Sequence, residues 1–279
     1  MLKKIDRGKQ FIQNHSALFR CPLCQTAVQP NQTGMMCENQ HRFDVSKKGT
    51  LFFLTHQIKS DYDAPMFQAR QRMIKSGMYQ PMLEEIQHQL QGETLLDVGC
   101  GEGSFLNALL ALQPRTAIGF DIVKEGIYLA TEQPNSAFWC VADLTNLPFA
   151  DQSFSTVLNI FSPSNYQEFQ RIMKADGRLI KIVPRANYLR ELRQAFYPDD
   201  VRKQNYSNEK VVAKFQQIFP ESQQKQITYT FEIPEARQAD ILEMSPLEWG
   251  VSPEVKEQLL RNPLNKITID VDLLIGTNS

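Results

Sequence analysis

The sequence predicts an α/β protein: a doubly wound, mostly parallel sheet of seven strands behind a small metal-stabilised module. Three observations predict it. Cys21, Cys24, Cys37 and His41 read Cys-x2-Cys-x12-Cys-x3-His, the spacing of a four-ligand zinc site. From residue 94 onward, short β-type runs alternate with helix-like segments, the pattern of a parallel sheet. The first of these runs flows into a glycine-rich turn, Gly99-Cys100-Gly101-Glu102-Gly103, and then a helix, the opening half of a mononucleotide-binding unit.

Taken in order, residues 1–20 read as an irregular or partly helical extension. Residues 21–45 are the metal module, with Pro30 and Gly34 in its turns. Residues 46–60 are basic and then apolar, with a short strand at 51–54. A linker follows at 61–65, then a helix over 66–76 stopped by Gly77 and a second from about Pro81 to Gly92. Strands are expected at 94–98, 116–122, 137–142, 156–161, 178–183, 226–233 and 266–275. Helices are expected at 104–112, 124–131, 165–173, 235–244 and 254–260. The domain division that results is 1–60 for the metal module and its extension, and 61–279 for the cofactor domain.

The chain has 279 residues, 42% hydrophobic and 22% charged, which is ordinary globular composition with ample core. Net charge is −1, so no global field draws a polyanion, but the charge is uneven. Residues 1–60 carry nine Lys/Arg against Asp6, Glu38 and Asp44, and residues 171–203 carry nine against four acids. Such stretches are either solvated helix faces or phosphate-binding surfaces. No apolar run is long enough for a signal peptide core or a membrane span. Three of the five cysteines belong to the metal pattern, leaving Cys100 and Cys140; that is no disulfide framework, and a reducing cytoplasm is expected.

Three thiolates and an imidazole saturate zinc, so the site should be structural, with no open position for water. A module this small has almost no core, and zinc supplies roughly 10–16 kcal/mol of apparent binding free energy to fold it. His15, His56 and His88 have no partner cysteines and are given no metal role. Arg42, Lys47, Lys48 and Lys59 flank the module and suit phosphate binding. Phe43, Phe52 and Phe53 either form its core or stack on unpaired bases.

Glycines let a cofactor approach the backbone closely. A dinucleotide fingerprint wants glycine at 104, where Ser104 stands. The Gly-x-Gly-x-Gly spacing with Asp97 before it instead resembles the S-adenosylmethionine (SAM) loop of class I methyltransferases. Asp121, about twenty residues on at the end of the second strand, suits both ribose hydroxyls. The resemblance implies that Asp97 faces the cationic amino acid end of SAM and that Asp143, ending the third strand, accepts from the adenine amine.

Several strings together resemble one family, the bacterial 23S ribosomal RNA guanine-N1 methyltransferases of the RlmA type. They are the zinc set followed by Phe43-Asp44, Gln68-Ala69-Arg70 with Gly77-x-Tyr79-Gln80-Pro81, the Asp97–Gly103 loop, Leu147-Pro148-Phe149, and Met244-Ser245-Pro246 with Trp249. The family implies methyl transfer from SAM to N1 of guanine 745 or 748 in 23S rRNA. It implies SAM contacts at Tyr79, at the loop through Ser104, Phe105 and Leu106, and at Tyr188. The stretch 184–189 departs from the more glycine- and proline-rich family pattern, and the extension before Cys21 exceeds the family's usual start. RNA contacts are assigned to Arg42, Lys47, Lys48, Arg70 and, by stacking on the target base, Phe161, which plain packing explains equally well. No general base is named; Glu102 is the remaining loop acid and is expected to be exposed. A homodimer is left open. Two rival readings stand: a small-molecule or quinone-type SAM methyltransferase carrying a zinc ribbon, and a non-catalytic RNA-binding or assembly protein on a methyltransferase fold.

Overall fold

The computed structural model describes residues 2–55 and 59–278, so His56 lies outside the described residues. The chain divides into two compact units: Met1–Asp61, Gln89–Ile180 and Thr277–Ser279 form the first, and Tyr62–His88 with Lys181–Gly276 the second.

The first unit opens with a regular helix, α1 (Lys4–His15), where the sequence left residues 1–20 irregular or partly helical. Its apolar side explains the difference: Ile12 is fully buried, and the Phe11 ring stacks on Phe138 with centroids 4.8 Å apart. The metal module is a three-stranded antiparallel sheet of β1 (Val28–Pro30), β2 (Gly34–Cys37) and β3 (Arg42–Asp44), pairing Val28 with Cys37 and Met35 with Phe43. Asn31 closes its first turn by accepting from the backbone N–H groups of Thr33 and Gly34. Phe43 and Phe53 are buried with ring centroids 5.2 Å apart, so these two are core, whereas Phe52 stays half exposed.

The main sheet of this unit has parallel strands β5 (Thr94–Val98), β6 (Thr116–Asp121), β7 (Phe138–Val141) and β8 (Phe154–Ile160), in the order β8-β5-β6-β7. Nearly every residue in them is buried, as expected for strands covered on both faces. Helices α4 (Ser104–Leu112) and α5 (Lys124–Ala130) connect β5 to β6 and β6 to β7, and α6 (Tyr166–Ile172) follows β8. The short run after the metal module becomes β4 (Leu51–Phe52), which pairs parallel with β7 at the edge. It adds an eighth strand to the seven expected. The direction of winding reverses between β5 and β8, which makes the carboxyl end of β5 a ligand crevice.

In the second unit, α2 (Ala64–Lys75) begins inside the expected linker. Asp63 is the reason: its carboxylate accepts from the Met66 N–H, and Pro65 fits the first turn. α3 (Gln80–Gln89) follows and ends at the unit's border. Strand β9 (Met173–Pro184) crosses that border, and β10 (Gln223–Glu232) pairs antiparallel with β11 (Lys266–Thr277). Three helices between β9 and β10 go beyond the sequence expectation: α7 (Arg190–Phe196), α8 (Val201–Gln204) and α9 (Glu209–Ile218). α10 (Gln238–Glu243) and α11 (Pro253–Arg261) lie between β10 and β11. Among the described residues, no helix is long and apolar enough to cross a membrane.

Candidate active site and metal centre

Both ligand pairs of the metal centre sit on tight turns. Gln25 N–H returns to Cys21 O and Gln40 N–H to Cys37 O, with Gln25 and Gln40 themselves in the left-handed region at φ 64° and 62°. The four donor atoms lie within 4.8 Å of one another. His41 Nδ1 is 3.4 Å from both Cys21 Sγ and Cys37 Sγ, and Cys24 Sγ is 3.6 Å from Cys37 Sγ. Zinc–ligand bonds of about 2.3 Å to sulfur and 2.0 Å to nitrogen in a tetrahedron require S···S of about 3.8 Å and S···N of about 3.5 Å. The residues therefore fit zinc, and four protein donors make the site structural. Burial pushes the Cys21 thiol up to about 11, and hydrogen bonding from Thr26 brings Cys24 down to about 5.

The zinc turn is tied to the segment that follows β7. Asn146 Nδ2 donates to Pro22 O at 2.8 Å and its Oδ1 accepts from Gln25 Nε2 at 3.2 Å. Arg20 N–H donates to Pro148 O, and Phe19 packs on Phe149. Arg171, paired with Glu168 and Asp151, also donates to Phe149 O, closing this junction. Asp143 opens the same segment, half-buried, with its Oδ1 accepting from Thr145 N–H.

At the carboxyl end of β5, Gly99, Gly101 and Gly103 all have positive φ (66°, 54° and 76°). A Cβ on Gly103 would fall 2.5 Å from the Trp139 ring, and one on Gly99 2.7 Å from Ser162 Cβ, so glycine is required for packing as well as for the turn. Asp121 pins the loop: its Oδ2 accepts from Gly101 N–H and its Oδ1 from Val123 N–H, both at 2.8 Å. Asp97 and Glu102 are both 2% exposed, which corrects the expectation of an exposed Glu102. Burial, with Asp121 and Glu102 close by, raises the Asp97 carboxyl to about 8. Three clustered buried carboxylates call for a cation, and the donor set therefore suits the positively charged amino acid end of SAM. Ser104 is buried with its hydroxyl bonded by Gln133 Nε2, Leu106 is fully buried in α4, and Phe105 turns toward Phe161, ring centroids 6.2 Å apart.

Phe161 follows β8 in a left-handed conformation, φ 52°, uncommon for a bulky residue. The turn is held by a network that sequence reading missed. Fully buried Asn159 donates to Ser162 Oγ and Pro163 O and accepts from Ser164 Oγ, while Ser162 Oγ donates to Val98 O at 2.6 Å. Its sequence signal is an asparagine in the apolar second half of the strand, Val157-Leu158-Asn159-Ile160.

In the second unit, the Tyr79 and Tyr188 hydroxyls are 2.6 Å apart, and burial raises the Tyr188 phenol to about 12. The turn bearing Tyr188 hangs on buried Asp270, which accepts from Arg185 Nη1, Asn187 N–H and Thr228 Oγ1. Arg70 donates from Nε to Met244 O and lies over the Tyr62 and Phe67 rings at 5.8 and 5.7 Å, and Tyr62 meets Trp249 edge-on. Of the basic residues near the metal, Arg42 and Lys47 are exposed, and Lys48 pairs with Glu132 at 3.2 Å.

Residues 19–60 match the N-terminal zinc-ribbon family of RlmA, and residues 89–235 match a methyltransferase-domain family. A Bacillus subtilis (strain 168) protein, named as a candidate 23S rRNA (guanine-N1)-methyltransferase, is 41% identical over 275 residues, 93% of this chain and 97% of that one. The 23S rRNA (guanine(748)-N1)-methyltransferase of Streptomyces fradiae is 25% identical over 268 residues, 92% of this chain and 95% of that one. The fold is shared with a candidate methyltransferase of Haloferax volcanii solved with the Trm112 activator: TM-score 0.51, 17% identity, covering 80% of this chain and 99% of that one. With a Cys3His zinc centre ahead of a SAM-type glycine loop, and with these relatives along nearly its whole length, the chain belongs to the RlmA-type 23S rRNA (guanine-N1)-methyltransferase family.

Proposed function

We propose that the protein methylates N1 of guanine 745 or 748 of 23S rRNA, with residues 1–60 gripping the RNA and 61–279 carrying the transfer. One observation carries the reading: the zinc turn is bonded, through Asn146, to the segment that starts at Asp143, on the same compact unit as the glycine loop. An RNA held by the module is thereby presented near the carboxyl ends of the strands.

When bound, SAM supplies a methyl group already activated on a sulfonium. What the chain must do is position the base, exclude water and accept a proton. Gly99, Gly101 and Gly103 leave room at the loop, with Ser104, Phe105 and Leu106 behind it. Asp97 faces the cationic end, Asp121 keeps a second lone pair on each oxygen for the ribose, and Asp143 takes the adenine amine. Tyr79 and Tyr188, joined through their hydroxyls, are the further SAM contacts that the family resemblance implies. Arg42, Lys47, Lys48 and Arg70 meet the RNA backbone, and Phe161 stacks on the extruded guanine. The N1 proton would have to leave, to a base or to solvent, during or before receipt of the methyl group that SAM would supply. A ribosomal RNA substrate supports a cytoplasmic location, and a homodimer is the assembly to test by light scattering.

Labelled SAM and unmodified 23S rRNA provide the test. Label in RNA with a reverse-transcriptase stop at guanine 745 or 748 is expected; label in small molecules but never in RNA would overturn the proposal.

A further inference from the structure

Helix α1 lies outside both matched family segments, which begin at residues 19 and 89. Yet it is built into the first unit with little tolerance. A Cβ on Gly8 would fall 2.6 Å from Gly49 O and 2.8 Å from Val45 Cγ1, and a Cβ on Gly49 would fall 2.4 Å from Lys4 O. Gly49 also has φ +80°, so the loop that carries Lys47 and Lys48 is shaped to receive the helix. On the same face, three positions on from Gly8, Phe11 stacks on Phe138. α1 also carries basic residues toward the loop it meets. Lys4 and Arg7, three positions apart, share a helix face, and with Lys48 they line one cavity against Asn135 and Ser136.

Glu132 brackets the two lysines, 2.6 Å from Lys4 Nζ and 3.2 Å from Lys48 Nζ. Its carboxyl is held below the usual range by those lysines, Lys4 first. One carboxylate fixes two ammonium groups side by side and neutralises only one of them. Arg7 is exposed and makes no ion pair among the described residues, and Lys3 and Lys47 are exposed on either flank. The result is a preset cationic notch, continuous with the zinc module through Gly8 and Gly49. A bilayer would need an apolar fringe, but Phe11 and Ile12 are spent on packing.

We propose that α1 is part of the RNA-binding surface, with Lys4, Arg7 and Lys48 forming a seat for the sugar–phosphate backbone of 23S rRNA beside the zinc module. This rests on the rRNA reading above. The seat reads no sequence; it fixes the register of the RNA while bases are recognised elsewhere. Removing one phosphate-binding cation should make the slope of log affinity against log salt shallower by roughly 0.7–0.9 and weaken binding roughly fivefold near physiological salt.

The experiment compares full-length, zinc-loaded protein with Arg7→Ala, Arg7→Glu and Lys48→Glu. Affinity for a 23S rRNA fragment spanning the target hairpin is measured across a KCl series, with zinc content, melting temperature and SAM affinity on the same samples. Arg7→Ala removes an exposed side chain and is expected to fold normally, to bind RNA roughly fivefold more weakly with a shallower salt slope, and to bind SAM unchanged. Arg7→Glu should weaken RNA binding further. RNA affinity and salt slope equal to those of the unchanged protein in both Arg7 variants would overturn the proposal. Should the unchanged protein itself fail to modify 23S rRNA, the broader reading falls and the two failures are told apart.

Discussion

Asp121 is hydrogen-bonded to the very loop whose ligand it is expected to hold: Gly101 N–H donates to its Oδ2 at 2.8 Å, while Val123 N–H, two residues on in its own turn, donates to its Oδ1 at 2.8 Å. The carboxylate is therefore a strut first, fixing the left-handed Gly101 before any cofactor arrives. Asp121→Asn replaces one acceptor oxygen with a donor that faces an N–H. A charge-assisted bond of this kind is worth about 1.5–3 kcal/mol. SAM affinity measured by titration calorimetry should fall by about tenfold or more, with RNA affinity unchanged.

Asp97 sets a pH dependence. Its carboxyl is raised to about 8 by burial, with Asp121 and Glu102 adding to it. Unfolded, the same group titrates near about 3.9. Between those values the folded protein without cofactor holds more protons than the unfolded chain, so its stability falls as pH rises through that window. A bound cation favours the ionised form, so SAM binding near neutral pH releases a proton and tightens with rising pH until about 8. Calorimetry in buffers of different ionisation enthalpy should show that release, and Asp97→Asn should abolish it; an Asn variant with the same proton release would assign it elsewhere.

Removing the metal separates recognition from cofactor binding. Cys24→Ser, or chelation, deprives the module of a binding free energy of about 10–16 kcal/mol, far more than its three short strands replace. RNA affinity should collapse toward the level of a module-less protein, while SAM affinity changes by no more than about twofold. Equal losses of both would mean that the Asn146 junction transmits unfolding to the glycine loop.

Phe161 and Asn159 divide stacking from positioning. Phe161→Leu keeps apolar bulk against Phe105 and loses the aromatic face. Base stacking of about 1–3 kcal/mol predicts a rise in KM for RNA of about tenfold, with little change in melting temperature. Asn159→Ala leaves buried partners without hydrogen bonds at a cost of about 1–3 kcal/mol, so it should lower both melting temperature and kcat. If Phe161→Leu turned over RNA normally, Phe161 would be packing alone, and its strained backbone would need another reason.

The zinc donors, the glycine loop and the acids at three strand ends were legible because each is written locally, as residue types at short fixed spacings. The alternation of strands and helices was legible for the same reason: apolar periodicity is a property of a few consecutive residues. Of the helices between β9 and β10, α7 and α8 escaped because they are only 7 and 4 residues long, too short for periodicity to show. Asp121 illustrates the limit within the site: its place at a strand end was readable, but its two backbone donors were not.

By itself, then, the sequence determined which atoms can hold zinc, where the chain must turn tightly to admit a cofactor, and the α/β architecture that puts those turns at strand ends. Tertiary structure alone decided how they are joined. Asn146 reaches Pro22 across 124 residues of chain, and Lys4 reaches Thr131 across 127. Such contacts depend on which surfaces meet after the sheet has formed, so no local pattern encodes them. That is why the zinc turn could be recognised in isolation, while its attachment to the segment beginning at Asp143, and the basic seat that α1 adds beside it, became visible only in the folded chain.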